Sequence, residues 1–101
     1  MMTQIVTDKA GRRIELRRVG VLEQLRLFKA LGPDLSENRA YVGLARIAAS
    51  VSMIDDVPIP FPVNENSLEA VIERLGEDGV EAVGEAIIPA PIEQILDEAG
   101  N

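Results

Sequence analysis

A chain of 101 residues is one domain's worth of sequence, able to bury about 65% of its unfolded surface in a single modest core. The apolar share of 47% argues against wholesale disorder, and with Phe28, Tyr41 and Phe61 as the whole aromatic set the core must be aliphatic. There is no cysteine, histidine or tryptophan. That excludes disulfides, thiol catalysis and histidine-based metal or acid–base chemistry, and it removes most stacking platforms for single-stranded nucleic acid.

The net charge of −7 hides an asymmetry: residues 1–46 hold nine of the ten basic groups against five acids, whereas residues 47–101 hold Arg74 against twelve acids. Such polarity either solvates two faces of one fold or steers a basic partner, or a second copy, to one end. Met1-Met2-Thr3-Gln4 opens without an apolar leader, and runs such as Ala86 to Ile92 are too short to span a bilayer. The expectation is a soluble, intracellular protein.

In chain order, Thr3–Thr7 and Arg13–Arg17 flank Asp8-Lys9-Ala10-Gly11-Arg12, whose Asp and Gly suit a short turn. This predicts a β-hairpin over residues 1–18, with Ile14 and Leu16 on one face and Arg13, Glu15 and Arg17 on the other. From Val21 the spacing becomes three and four: Val21, Leu22, Leu25, Phe28 and Leu31 predict an amphipathic helix that Gly32-Pro33 stops. After a loop over 34–38, Ala40, Tyr41, Leu44, Ile47, Ala48 and Val51 mark a second, small-sided helix, expected to be the most buried.

Val51–Ile54 reads as a strand ended by Asp55-Asp56. Prolines 58, 60 and 62 then make residues 55–63 an extended loop or sheet edge presenting Val57, Ile59 and Phe61 to one side. Asn66 and Glu69 resemble a capping box for a helix over Ser67–Leu75, and a further short helix is expected over Gly79–Ile88. Beyond Pro89-Ala90-Pro91, Ile92, Ile95 and Leu96 predict a brief terminal helix. The whole is a single α+β domain, mostly helical: the N-terminal hairpin, one further short strand with its proline loop, and four to five helices in a body spanning 19–88. Residues 89–101 form a C-terminal segment that either completes the core or serves as a mobile arm gripping another protein.

No constellation of residues argues for catalysis. Asp55-Asp56 are turn formers whose side chains point to opposite faces of a strand, and the glycines at 76, 79 and 84 lack the strand and basic residue of a phosphate loop. Asp78-Gly79 does not match a calcium loop. Arg12, Arg13, Arg17 and Arg18 cluster ahead of two helices joined through Gly32, which raises a DNA-binding reading. The overall negative charge and a second helix poor in base-reading side chains weigh against it. No cofactor or metal is implied.

One ordered set of residues runs through most of the chain: Thr7-Asp8-x-x-Gly11-Arg12-x-Ile14-x-Leu16-Arg17, Leu22-Glu23-Gln24-Leu25, Phe28-x-x-Leu31-Gly32, Tyr41-Val42-x-x-Ala45, Val51-x-x-Ile54-Asp55-x-x-Pro58-x-Pro60, Leu68-Glu69-x-x-Ile72-x-x-Leu75-Gly76 and Asp78-Gly79. Over residues 5–85 this pattern resembles the tail assembly chaperones of tailed bacteriophages and prophages. Asp56 stands where that pattern leads one to expect glycine.

The resemblance implies a non-catalytic protein of the host cytoplasm, absent from the mature virion. It would bind the tape measure protein, keep it soluble and help recruit tail tube subunits; self-association is also open. The candidate partner-binding residues are Ile59 and Phe61 on the proline loop and Ile88, Ile92, Ile95 and Leu96 near the end. The alternatives are a minor structural tail or baseplate protein and a small DNA-binding regulator.

Overall fold

A computed structural model of the protein describes residues 4–87. Four short strands, β1 (Gln4–Thr7), β2 (Arg13–Leu16), β3 (Val51–Ile54) and β4 (Val57–Pro58), form one antiparallel sheet in the order β1-β2-β3-β4. Helices α1 (Val21–Ser36) and α2 (Arg39–Ser50) lie between β2 and β3 in sequence, and α3 (Glu65–Ile87) follows β4. The expected α+β class holds.

Directly paired residues of antiparallel strands share a face. The register Val6↔Ile14↔Ile54 therefore points one row of side chains at the helices, and the register Ile5↔Glu15↔Met53 points the next row away. Ile14, Leu16, Val51 and Ile54 are buried against Leu27 and Leu31 of α1, Ala45, Ile47, Ala48 and Ala49 of α2, and Leu68, Val71, Leu75 and Val83 of α3. Leu16 faces Val51 rather than Ser52, a bulge in β3 that the Ser52 hydroxyl closes by donating to the Glu15 carbonyl at 3.1 Å. Asp55 and Asp56, with φ of 47° and 68°, make the tight turn into β4. Both central residues are left-handed, as in a type I′ hairpin turn. The Asp55 carboxylate accepts from the Arg13 N–H at 2.8 Å, which anchors the turn to β2.

The expected four to five helices are corrected to three among the described residues. Gly32 does break α1, at φ 80° and ψ 172°, but Pro33 re-enters helix immediately and the turn continues to Ser36. Proline suits a first helical position because its missing N–H would have had no partner there. The two helices expected over Ser67–Leu75 and Gly79–Ile88 are likewise one element broken at Gly76, at φ 65° and ψ −174°. In both places a single glycine in a region closed to other residues turns the axis, and no loop intervenes. The brief helix expected at Ile92–Leu96, and the segment 89–101 as a whole, lie outside the described residues.

Helix starts also shift. Asn38 caps α2 by accepting from the Tyr41 N–H at 3.1 Å. At α3 the cap is Asn64, two residues before the expected Asn66: its side chain accepts from the Ser67 N–H at 2.8 Å while the Ser67 hydroxyl accepts from the Asn64 N–H at 3.1 Å. This is the reciprocal logic of a capping box, with serine in the returning position.

Candidate functional site

α1 carries two apolar stripes. One, Leu27 and Leu31 with Phe28 beside them, faces the core. The other, Val21, Leu22 and Leu25, is 79%, 55% and 61% exposed. Arg26 and Lys29 of the same helix are exposed beside this second stripe. Single exposed aliphatics are ordinary, whereas three on one helical face make an apolar patch.

That surface runs into the proline loop. Arg26, Lys29 and Ala30 of α1 and Phe61, Pro62 and Val63 line an open depression of about 560 Å³, and Val63 is 75% exposed. Phe61 is half-buried, with the Arg17 guanidinium 5.7 Å from its ring centroid, within range of a cation–π contact. Ile59 is 6% exposed and belongs to the core; its N–H donates to the Ser52 carbonyl at 2.9 Å and its carbonyl accepts from Arg17. The expected common face of Val57, Ile59 and Phe61 is therefore divided, with Val57 42% exposed at the sheet edge. Ile88, Ile92, Ile95 and Leu96 lie outside the described residues.

A second apolar groove, about 330 Å³, lies between α2 and α3 over Leu44, Ala45, Leu68 and Ile72, rimmed by Glu69 and Glu73. Tyr41 closes one side, its hydroxyl donating to Glu69 at 3.1 Å. Burial, then the Glu69 carboxylate, push the Tyr41 phenol above its ordinary value.

The arginine cluster of the hairpin is dispersed. Arg12 reaches across to α3, donating to the carbonyl of Arg74 at 2.8 Å and to that of Leu75, the groups that the break at Gly76 leaves without helical partners. The same guanidinium pairs at 2.8 Å with Asp8, whose side chain is fully buried and also accepts the Arg12 N–H at 2.9 Å. Burial pulls the Asp8 carboxyl upward, but hydrogen bonds from the Arg12 main chain and side chain, and its charge, outweigh that and hold it below the ordinary value. Arg17 is spent on the Val51 carbonyl at 2.9 Å and on that of Ile59, and burial lowers its own pKa. Two of the four arginines that suggested a phosphate-binding patch are thus structural ties.

No group of His, Cys, Asp or Glu among the described residues is placed to hold a metal ion. No helix among them is long and apolar enough to cross a membrane. Compared with family models, with curated proteins and with solved structures, the chain matches none.

Proposed function

We propose that the protein is a non-catalytic tail assembly chaperone, acting in the host cytoplasm and absent from the finished particle, that shields helical apolar stripes of the tape measure protein. The observation that carries this reading is the face of α1 formed by Val21, Leu22 and Leu25, exposed and unpartnered among the described residues, beside the depression at Phe61 and Val63. An amphipathic partner helix docks on such a face through residues spaced three and four apart. The surface lacks a deep aromatic anchor, which suits a contact that must later be released to tail tube subunits. Phe61 stays in the proposed gripping set, Ile59 supports the loop from beneath, and Ile88, Ile92, Ile95 and Leu96 complete the set. The acidic surface of α3 supports solubility of the complex, since high net charge opposes association of like particles.

The test is coexpression with the long helical protein of the same gene neighbourhood, scored by solubility and co-elution on size exclusion. The chaperone reading expects the partner to become soluble and to co-elute. An insoluble partner with this protein eluting alone overturns it. Detection of the protein in purified virions would replace it with a structural tail or baseplate role.

A further inference from the structure

Where the hairpin leaves the sheet, Arg17 and Arg18 meet Arg46 of α2 around a pocket of about 420 Å³, with Gln4, Gln24 and Ser50 also in its wall. None of the 14 acids among the described residues lines it. Among the described residues none of these three guanidiniums has a carboxylate within ion-pair distance; only Lys9 and Arg12 do. Arg17 is held by two main-chain carbonyls, and its buried Nε has no hydrogen-bond partner there. The N-terminus of α1 starts at Val21, beside Val19 and Gln24 of the wall, and its Ncap, Gly20, supplies no side-chain acceptor. Glu23 in the first turn, its carboxylate beside Gly20, offsets the positive end of this helix, so the guanidiniums supply the charge of the pocket.

We propose that this pocket binds carboxylates of an acidic peptide segment from a partner protein. Guanidinium is the side chain best matched to planar oxyanions, taking both oxygens at once. A nucleic-acid strand fits the site less well, because the net charge of −7 and the exposed Glu77, Asp78, Glu81 and Glu85 of α3 repel an extended polyphosphate more than a short acidic segment. The pocket is lined by different residues from the Leu22–Leu25 face, and the inference does not depend on the chaperone reading.

The test is fluorescence anisotropy of a labelled hexaglutamate peptide with the full chain at about 50 mM salt, low enough to preserve exposed charge interactions. Saturable binding of one peptide per chain is expected, weakened about tenfold or more in the double variant Arg18→Gln/Arg46→Gln. Both side chains are exposed, so this variant keeps its unfolding midpoint. The charge-matched control Arg13→Gln/Arg39→Gln, outside the pocket, binds as the parent does. Absence of binding overturns the proposal, as does equal loss in the control. Displacement of the peptide by an equal concentration of inorganic phosphate or of a short single-stranded oligonucleotide reassigns the pocket to phosphate. Binding that emerges only in Glu93→Gln/Asp97→Gln/Glu98→Gln overturns the partner as occupant, in favour of the chain's own acids.

Discussion

α1 and α3 are both broken by one glycine in the same rare conformation, yet the two breaks are supported differently. At Gly76 the freed carbonyls of Arg74 and Leu75 are taken by Arg12 from the hairpin, backed by the buried Asp8. At Gly32 the support is local: the Ser36 hydroxyl donates to the Gly32 carbonyl at 2.6 Å. The helices differ in anchorage as well. α3 buries Leu68, Val71, Leu75 and Val83, whereas α1 buries only Leu27 and Leu31, at about 1.5–3 kcal/mol for each such side chain. One helix is bolted to the sheet; the other is lightly held and shows its apolar side outward. The proposed chaperone role would call for both kinds of element, a rigid base and a displayed surface.

The sharpest way to break this comparison is to cut each tie. Arg12→Ala leaves the Asp8 carboxylate buried without its charge partner and frees two carbonyls of α3, so a loss of about 3 kcal/mol is expected in urea denaturation. Ser36→Ala removes one neutral hydrogen bond and should cost about 1 kcal/mol. Equal losses would mean that the hairpin does not brace α3.

Replacing the glycines asks the same question of the backbone. Gly32→Ala and Gly76→Ala each force a β-carbon into a region essentially reserved for glycine, at about 1–3 kcal/mol. Gly76→Ala should lie at the upper end, because any relaxation of the break also moves the carbonyls that Arg12 holds. Denaturation midpoints of the two variants decide the order.

The Asp8–Arg12 tie also sets a pH dependence. The folded Asp8 carboxyl titrates below its ordinary value, so its contribution is complete above that ordinary value, near pH 4, and is lost as pH falls through the folded value. Stability should therefore decline on acidification below about pH 4. Asp8→Asn should be less stable at neutral pH but show a flatter acid limb when thermal midpoints are followed from pH 6 to pH 2.5. An unchanged acid limb would assign the decline to other carboxylates.

Much of the sheet was legible because its signals are local. Ile14 and Leu16 alternate with charged residues and are buried as the alternation requires, and β3 occupies the predicted Val51–Ile54. The prolines left residues 55–63 as an extended loop or a sheet edge, and β4 takes the edge, where missing N–H groups do no harm. Which face of α1 turns inward was not legible. Val21, Leu22, Leu25, Phe28 and Leu31 satisfy helical spacing, but so do Leu27 and Leu31, and only the tertiary partners choose between the two stripes. A helix with apolar residues on two sides was itself the signal that one side was displayed. The roles of Arg12 and Arg17 were hidden for a related reason: their acceptors are main-chain carbonyls 34 to 63 residues away, which leave no mark in side-chain composition. Clustering in sequence made four arginines look like one patch, whereas Arg12 reaches α3, Arg13 stays exposed on β2, and Arg17 and Arg18 share a separate pocket with Arg46.

The smallest expected change in stability belongs to the variant that tests the proposed function most directly. Val21→Ser, Leu22→Gln and Leu25→Gln together alter only exposed positions of α1, so the unfolding midpoint should stay within about 0.5 kcal/mol per site of the parent. If the outer face is the gripping surface, the same triple variant should fail to solubilise the tape measure protein in coexpression, while Leu44→Gln in the α2–α3 groove leaves rescue intact. The reverse pattern would transfer the function to the acid-rimmed groove and make α1 a bystander. Loss of stability in the triple variant would show that these side chains are covered in solution, by a second copy of the chain or by residues beyond Ile87. Thermal midpoints measured over a hundredfold range of protein concentration would separate those two, since only cover by another molecule makes stability depend on concentration.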